Sequence, residues 1–345
     1  MLDNLLSEVD VQHLCTLLDK AHNIIVTCHV SPDGDAMGAV LAFSHFLWRK
    51  GKNAQPVVPN IFPDFLKWMP GVERVRIYEK HENEVAPLVA AADLIICLDF
   101  NSPDRLQGLQ KPVTDSQSPK IMIDHHLDPV DFCDWGVSRQ EMSSTCELLY
   151  RILVQLEGLD PMTYEEAVCL YTGMMTDTGC FSYNSNRSDI YYIIGRLLTK
   201  GIDKDKIYRN VFFNYSAERF RLMGYMLYVK LEYFPEYHAS LMTLTREEQK
   251  RFSHKKGDTE GFVNIPLQIG KSRLSVFLRE DTERHNIRVS LRSVDDFPCN
   301  RMAAEFFNGG GHLNASGGEL SCTMDEAVQI VRKALKKYAS LLTDR

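Results

Sequence analysis

No uninterrupted apolar stretch of this chain approaches the ~18 residues that a membrane-spanning helix needs, so no spanning segment and no membrane partner is expected. No two of the nine cysteines form a CxxC pair, and Cys28, Cys97 and Cys169 lie inside apolar runs. That argues against a disulfide framework or a zinc knuckle and suits buried free thiols in a reducing cytoplasm. A basic stripe is missing as well, and the formal net charge is −7. Proteins that track along many phosphates carry such a stripe, so long nucleic acid is not an expected partner. Any nucleic acid handled here should be short and held in a local pocket. The opening residues, MLDNLLSEVDVQHLCTLLDK, lack the basic start and apolar centre of a signal peptide and read as an amphipathic helix. Internal repeats and low-complexity tracts are absent too.

What is present is a chain of 345 residues, longer than a single core usually serves, so two domains are expected. In the first half, short apolar runs (NIIVTC, AQPVVP, ADLIICLDF, KIMIDHH) alternate with helical patterns such as AMGAVLAFSHFLWRKG. Runs of that kind are strands buried on both faces, with crossover helices covering a parallel sheet. The expected fold is α/β: a doubly wound, mostly parallel sheet over 1–190, then a helical linker over 191–232. A smaller α+β domain is expected over 233–345, where HASLMTLT, GFVNIPLQI, SRLSVFLRE and NIRVSLRS read as strands of a meander.

In a parallel α/β sheet, ligands bind off the carboxyl ends of the strands. His29 ends the first apolar run, with Asp33 and Asp35 on the loop that follows. Asp99 ends LIICLD; Asp124, His125 and His126 end IMID; Asp177 follows the helical run AVCLYTGMM. A single Asp after a strand is usually a helix cap or a turn residue. Four coincident placements are harder to dismiss, because clustered carboxylates repel and shift one another's pKa unless a cation sits among them. Carboxylate and imidazole donors without thiolates suit manganese ahead of magnesium or iron. Two cations sharing one acid match the number of donors, and such pairs act on phosphate esters.

HVSPDGDAMGA, CLDF, IDHH and MMTDTGCF, in this order, resemble the four motifs of the DHH phosphoesterase superfamily. IRVSLRS and GGGHLNASGG resemble its DHHA1 companion domain, and the compact bacterial nanoRNase and pAp-phosphatase type is the subgroup most similar. The resemblance implies one metal ion held by His29, Asp33 and Asp99, and a second held by Asp35, Asp99, His125 and Asp177, with Asp99 bridging. It makes Asp124 a partner that orients a histidine and turns His126 toward the phosphate.

In the second half, alternation along a strand puts Arg288, Ser290 and Arg292 on one face. Gly309, Gly310 and Gly311 permit close backbone approach, and their N–H groups can form an anion-binding nest. With Arg292 and His312 they are expected to cup a phosphate that is not being cleaved. Ser182, Tyr183 and Asn184 are weaker candidates, Tyr183 reading equally as core or as a base-stacking platform. The expected activity is two-metal hydrolysis of short oligonucleotides, about two to five nucleotides long, and of 3′-phosphoadenosine 5′-phosphate (pAp), by a water whose pKa the ions lower. A cleft between the domains would set the length limit. A phosphodiesterase for pApA or cyclic di-AMP is the alternative; a RecJ-like exonuclease and a catalytically silent nucleotide-binding regulator rank lower. A homodimer is left open.

Overall fold

A computed structural model describes residues 3–213, 215–255 and 257–343. The chain divides into two compact units, 1–214 and 215–345. The boundary falls inside the segment read as a linker, so its helices are shared between the units.

The first unit holds strands β1 (Asn23–Cys28), β2 (Asn53–Val58), β3 (Arg76–Ile77), β4 (Leu94–Leu98), β5 (Lys120–Asp124) and β6 (Trp135–Ser138). They form one sheet in the order β3-β2-β1-β4-β5-β6, and every pairing is parallel. Around it run helices α1 (Glu8–Lys20), α2 (Gly34–Arg49), α3 (Tyr78–Ala90), α4 (Gln110–Asp115), α5 (Thr145–Glu157), α6 (Tyr164–Asp177), α7 (Ser188–Leu198) and α8 (Lys204–Phe212). The continuous apolar runs have a direct cause. Ile24, Val26, Leu94, Ile96 and Leu98 pack in a core with α1, α2, α5 and α6. Ile25, Ile95 and Cys97 point to the other face, against Val85 and Val89 of α3 and Val113 of α4. Strand order reverses between β1 and β4, the place where such sheets open a ligand crevice.

α2 and α6 approach closely because Gly38 and Gly173 face each other: a Cβ on Gly38 would lie 2.7 Å from the Cys169 carbonyl oxygen and 3.1 Å from the Gly173 nitrogen. This contact seats the start of α2 beside the end of α6.

The second unit contains α9 (Ala217–Tyr225), β7 (Glu232–Phe234), β8 (Ala239–Leu244), α10 (Arg246–Arg251), β9 (Leu274–Glu280), β10 (Ile287–Ser293), α11 (Cys299–Phe306), β11 (Gly310–Gly311), β12 (Ala315–Leu320), α12 (Met324–Lys337) and α13 (Ala339–Thr343). Its sheet runs β11-β12-β10-β9-β8-β7. Two features depart from the meander. β8 and β9 pair parallel, and the run GFVNIPLQI is a 3-10 helix over Phe262–Gln268. The Thr245 capping box starts α10 directly after β8 and forces a crossover. Gly261 lies in the left-handed region at φ 79, and Pro266 has no N–H for a ladder. The apolar side chains Phe262 and Val263 are buried against Phe277 and Leu222 from a helical turn instead.

Candidate metal centre

Three adjacent strands, β1, β4 and β5, deliver polar groups at their carboxyl ends, and α6 adds a fourth. His29, 5% exposed, follows β1. Its Nδ1 lies 2.8 Å from the Val30 carbonyl oxygen and therefore donates to it, which leaves Nε2 facing Asp99 Oδ2 at 3.3 Å and Asp33 Oδ2 at 3.9 Å. Asp33 is the N-cap of α2: its Oδ1 accepts from the Asp35 and Ala36 amides, each at 3.0 Å. The ordinary cap reading and the ligand reading thus apply to different oxygens of one side chain. Asp35 is buried in the first turn of α2, where Oδ2 accepts from the Thr145 amide at 2.6 Å and Oδ1 from the Cys146 amide at 2.9 Å.

Asp99 directly follows β4 and sits at φ +64, a left-handed conformation that is strained for a residue with a side chain. Its Oδ1 accepts from the Thr145 hydroxyl at 2.8 Å. His125 directs Nδ1 to the Met142 carbonyl at 3.2 Å and Nε2 to Asp177 Oδ2 at 3.6 Å and Asp99 Oδ1 at 3.7 Å. Asp177 is the last residue of α6. Asp124, fully buried, accepts from the His126 amide at 3.0 Å and from the same residue's Nδ1 at 2.7 Å.

The groups expected to share cations do come together. His29, Asp33 and Asp99 offer donor atoms within 4.8 Å of one another, as do Asp35, His125 and Asp177. Asp99 touches both sets through different oxygens. The His–Asp separations of 3.3 to 3.9 Å exceed the ~2.7–2.9 Å of a charge-assisted hydrogen bond. They match two donors each ~2.0–2.2 Å from one centre, which stand about 3 to 4 Å apart. Without a cation the site is electrostatically uneven. Burial, then Asp99, pushes Asp35 up to about 7, and burial, then Asp35, raises Asp177. Burial works against the charge on Asp99, yet His29, His126 and His125 outweigh it and hold that carboxyl low. Burial likewise opposes protonation of His125, but Asp177, Asp99 and Asp35 push it up to about 9. A pocket that forces carboxyls to keep protons and imidazoles to gain them is short of positive charge, and a divalent cation supplies it. The donor set fits that ion.

In the second unit, Arg288, Ser290 and Arg292 alternate with the buried Ile287, Val289 and Leu291. Arg288 pairs with Asp281, Nε to Oδ2 at 2.9 Å, and its Nη1 lies 3.8 Å from Glu319. A ligand reaching Arg288 must compete with those acids. Arg292 donates from Nη1 to the Leu291 carbonyl at 2.9 Å. Gly310 and Gly311 form the edge strand β11, paired with Gly317 and Ser316, and Gly311 has φ +137. The Gly309 amide donates to the Ala303 carbonyl at 3.2 Å and the His312 amide to the Ala315 carbonyl at 2.9 Å. The glycine stretch is thus a ladder edge with amides at both ends already engaged, where an open nest was expected. Ser182 donates to the Gly179 carbonyl at 2.6 Å, Asn184 has φ +47, and Tyr183 is half exposed, which removes the core reading for it.

Sequence reasoning missed Thr145 and the Cys146 amide. Their signal was present: Ser144 caps α5 by accepting from Glu147 N, so the next amides begin a helix with no carbonyl partner of their own. Ser144 and Glu147 make only half of a capping box, since the Ser144 side chain accepts from Glu147 N without the return bond. The Glu147 carboxylate turns to Ser143, accepting from its amide at 2.8 Å and its hydroxyl at 2.7 Å, and to Arg151 and Arg187.

Residues 23–174 match the model of the DHH family, N-terminal domain, and residues 243–340 match that of the DHHA1 domain. An exopolyphosphatase-related protein from Bacteroides fragilis, of known crystal structure, is 50% identical, with a TM-score of 0.95 over 99% of this chain and 100% of that one. The bifunctional oligoribonuclease and PAP phosphatase NrnA of Thermus thermophilus is 29% identical over 315 residues, 91% of this chain and 89% of that protein. A Mn2+ complex of RecJ from Thermus thermophilus shares the fold at 13% identity and a TM-score of 0.57, matching all of this chain and 56% of that one. The motif order, the sheet that presents it and these likenesses agree: the chain belongs to the DHH family and carries a DHHA1 domain in its second unit.

Proposed function

We propose that this chain is a hydrolase of phosphate ester bonds that cleaves short oligonucleotides and pAp with the help of two divalent cations, manganese before magnesium. The observation that carries the reading is the pair of donor groups meeting at Asp99, His29–Asp33–Asp99 on one side and Asp35–His125–Asp177 on the other. The likeness to an oligoribonuclease and PAP phosphatase along most of both chains supports the substrate class. Oxygen and imidazole donors without thiolates support manganese.

When bound, the cations neutralise charge on the phosphoryl oxygens and lower the pKa of the attacking water. The chain's own groups do the rest. His29 and His125 are fixed by carbonyls at Nδ1 and present Nε2. Asp35, Asp99, Asp177 and the second oxygen of Asp33 supply anionic donors. Asp124 orients His126 through Nδ1, and we assign the far nitrogen of that ring to a phosphoryl oxygen. Arg292 and His312 hold a phosphate that stays intact, with Ser290 beside them on the strand face. All nine cysteines are free, which supports a reducing, cytoplasmic setting, and no described helix is long and apolar enough to cross a membrane.

The test is one substrate panel with added Mn2+: pAp, di- to hexaribonucleotides, pApA, cyclic di-AMP, pyrophosphate and long single-stranded DNA. Turnover should be highest on pAp and the shortest oligonucleotides and fall steeply between about five and ten nucleotides. Preference for cyclic di-AMP or pApA would move the assignment to the alternative phosphodiesterase. Processive degradation of the long strand would overturn it.

A further inference from the structure

Thr145 opens α5 and is fully buried. It makes two bonds to two different acids. Its amide donates to Asp35 Oδ2 at 2.6 Å, 110 residues away, and its hydroxyl donates to Asp99 Oδ1 at 2.8 Å, 46 residues away. The Cys146 amide takes the other oxygen of Asp35 at 2.9 Å. Asp35 is thus gripped at the positive end of a helix, where free amides and the helix dipole both favour a carboxylate. From this turn Asp99 takes the hydroxyl, and it needs orientation most, because it serves both donor groups from a strained backbone. A β-branched side chain is stiff at χ1, so this hydroxyl is well placed to fix one lone pair and leave the other to the site.

The anchoring of Thr145 extends further. Ser144 caps the same turn, and Glu147, fully buried, is held by Ser143, by Arg151 at 2.9 Å and by Arg187 at 2.5 Å. Arg187 belongs to the segment after α6, so the ion pair ties the start of α5 to the chain that follows Asp177. A buried pair of this sort contributes little net stability but fixes position.

We infer that Thr145 is a positioning residue that sets the separation and aim of Asp35 and Asp99 for cation binding. This rests on reading the acid cluster as a two-cation site. The test titrates Mn2+ into metal-stripped protein and follows free Mn2+ by electron paramagnetic resonance, for wild type, Thr145→Val, Thr145→Ala and Thr145→Ser. Val keeps the shape and the amide and removes only the hydroxyl. It should weaken Mn2+ binding by about 10- to 100-fold, the usual effect of losing a partner behind a ligand. Ala should do the same, and Ser should restore most of the affinity. With Mn2+ below saturation, hydrolysis should fall in parallel, while substrate KM at saturating Mn2+ stays put. A merely structural role would lower the melting temperature of the stripped protein and leave Mn2+ affinity unchanged. Wild-type Mn2+ affinity in either folded variant, or a Ser variant as weak as Val, overturns the inference. A wild type that takes up no Mn2+ would instead sink the two-cation reading.

Discussion

Asp33 uses one oxygen to cap α2 and turns the other toward His29, and this division recurs across the site. His29 and His125 likewise tie Nδ1 to a backbone carbonyl and aim Nε2 at the centre, whereas both oxygens of Asp35 are held by the Thr145 and Cys146 amides. The arrangement predicts a pH response in the metal-stripped protein. Asp35 titrates near 7 in the fold because of burial and then Asp99, so the folded chain keeps a proton that the unfolded chain releases near pH ~4. Its stabilising effect is full at low pH and drains away as pH rises to about 7. His125, despite burial, is pushed up to about 9 by Asp177, Asp99 and Asp35, so its contribution is present below pH ~6.5 and lost as pH climbs through about 9. Asp99, held low by three histidines, titrates below this interval. The signs agree: the melting temperature of the stripped protein should fall between about pH 5 and 9, and the gain from added Mn2+ should grow, because cations require both groups deprotonated. Melting curves with and without Mn2+ check it; a stripped protein that becomes steadily more stable over that interval would contradict the electrostatics. The residues aimed inward were legible because each ends an apolar run or, like Asp33 and Asp35, lies on the loop just after one. Thr145 was legible only in part: the capping serine marks the free amides of a helix start, but only the tertiary fold brings Asp35 and Asp99 to them.

At the scale of elements, the helix pair α2–α6 is the clearest device. A methyl on Gly173 would lie 2.8 Å from Asp35 Oδ1 and 2.9 Å from Cys146 Cβ, and Asp35 cannot retreat because two amides hold it. Gly173→Ala should therefore destabilise the protein by about 1–3 kcal/mol and weaken cation binding. Gly195, inside α7 with open space around its Cα, is the control: Gly195→Ala should stabilise by about 0.5–1 kcal/mol. Denaturant melts of both variants decide, and equal effects would mean that the close approach does not matter. The elements themselves were largely readable. Strands β1, β4 and β5 carry the unbroken apolar runs of a sheet covered on both sides, and their shortness and β-branched content separate them from the longer helical patterns. The run 261–269 misled because a short apolar stretch has no period of its own. Its proline and its left-handed glycine, not its hydrophobicity, decide its conformation. Parallel pairing of β8 and β9 was invisible for a related reason: it depends on where the intervening chain packs.

Across the whole molecule, a net charge of −7 and two units imply that phosphate is gripped at few points. If Arg292 holds a phosphate that is not cleaved, Arg292→Ala should cost ~2–4 kcal/mol on pAp and dinucleotides, roughly 30- to 1000-fold in kcat/KM. It should cost little on bis-p-nitrophenyl phosphate, which has one phosphorus; equal losses on both would place the second unit in the chemistry itself. Arg288, already paired with Asp281, should matter less than Arg292 on either substrate. The central claim is that four separate segments of the first unit meet to hold two cations about Asp99. It is tested most directly by equilibrium dialysis of the stripped chain against Mn2+, counting bound ions. About two per folded chain are predicted for the wild type and fewer for Asp99→Ala; a wild type that binds none, and that stays fully active in excess chelator, would contradict it.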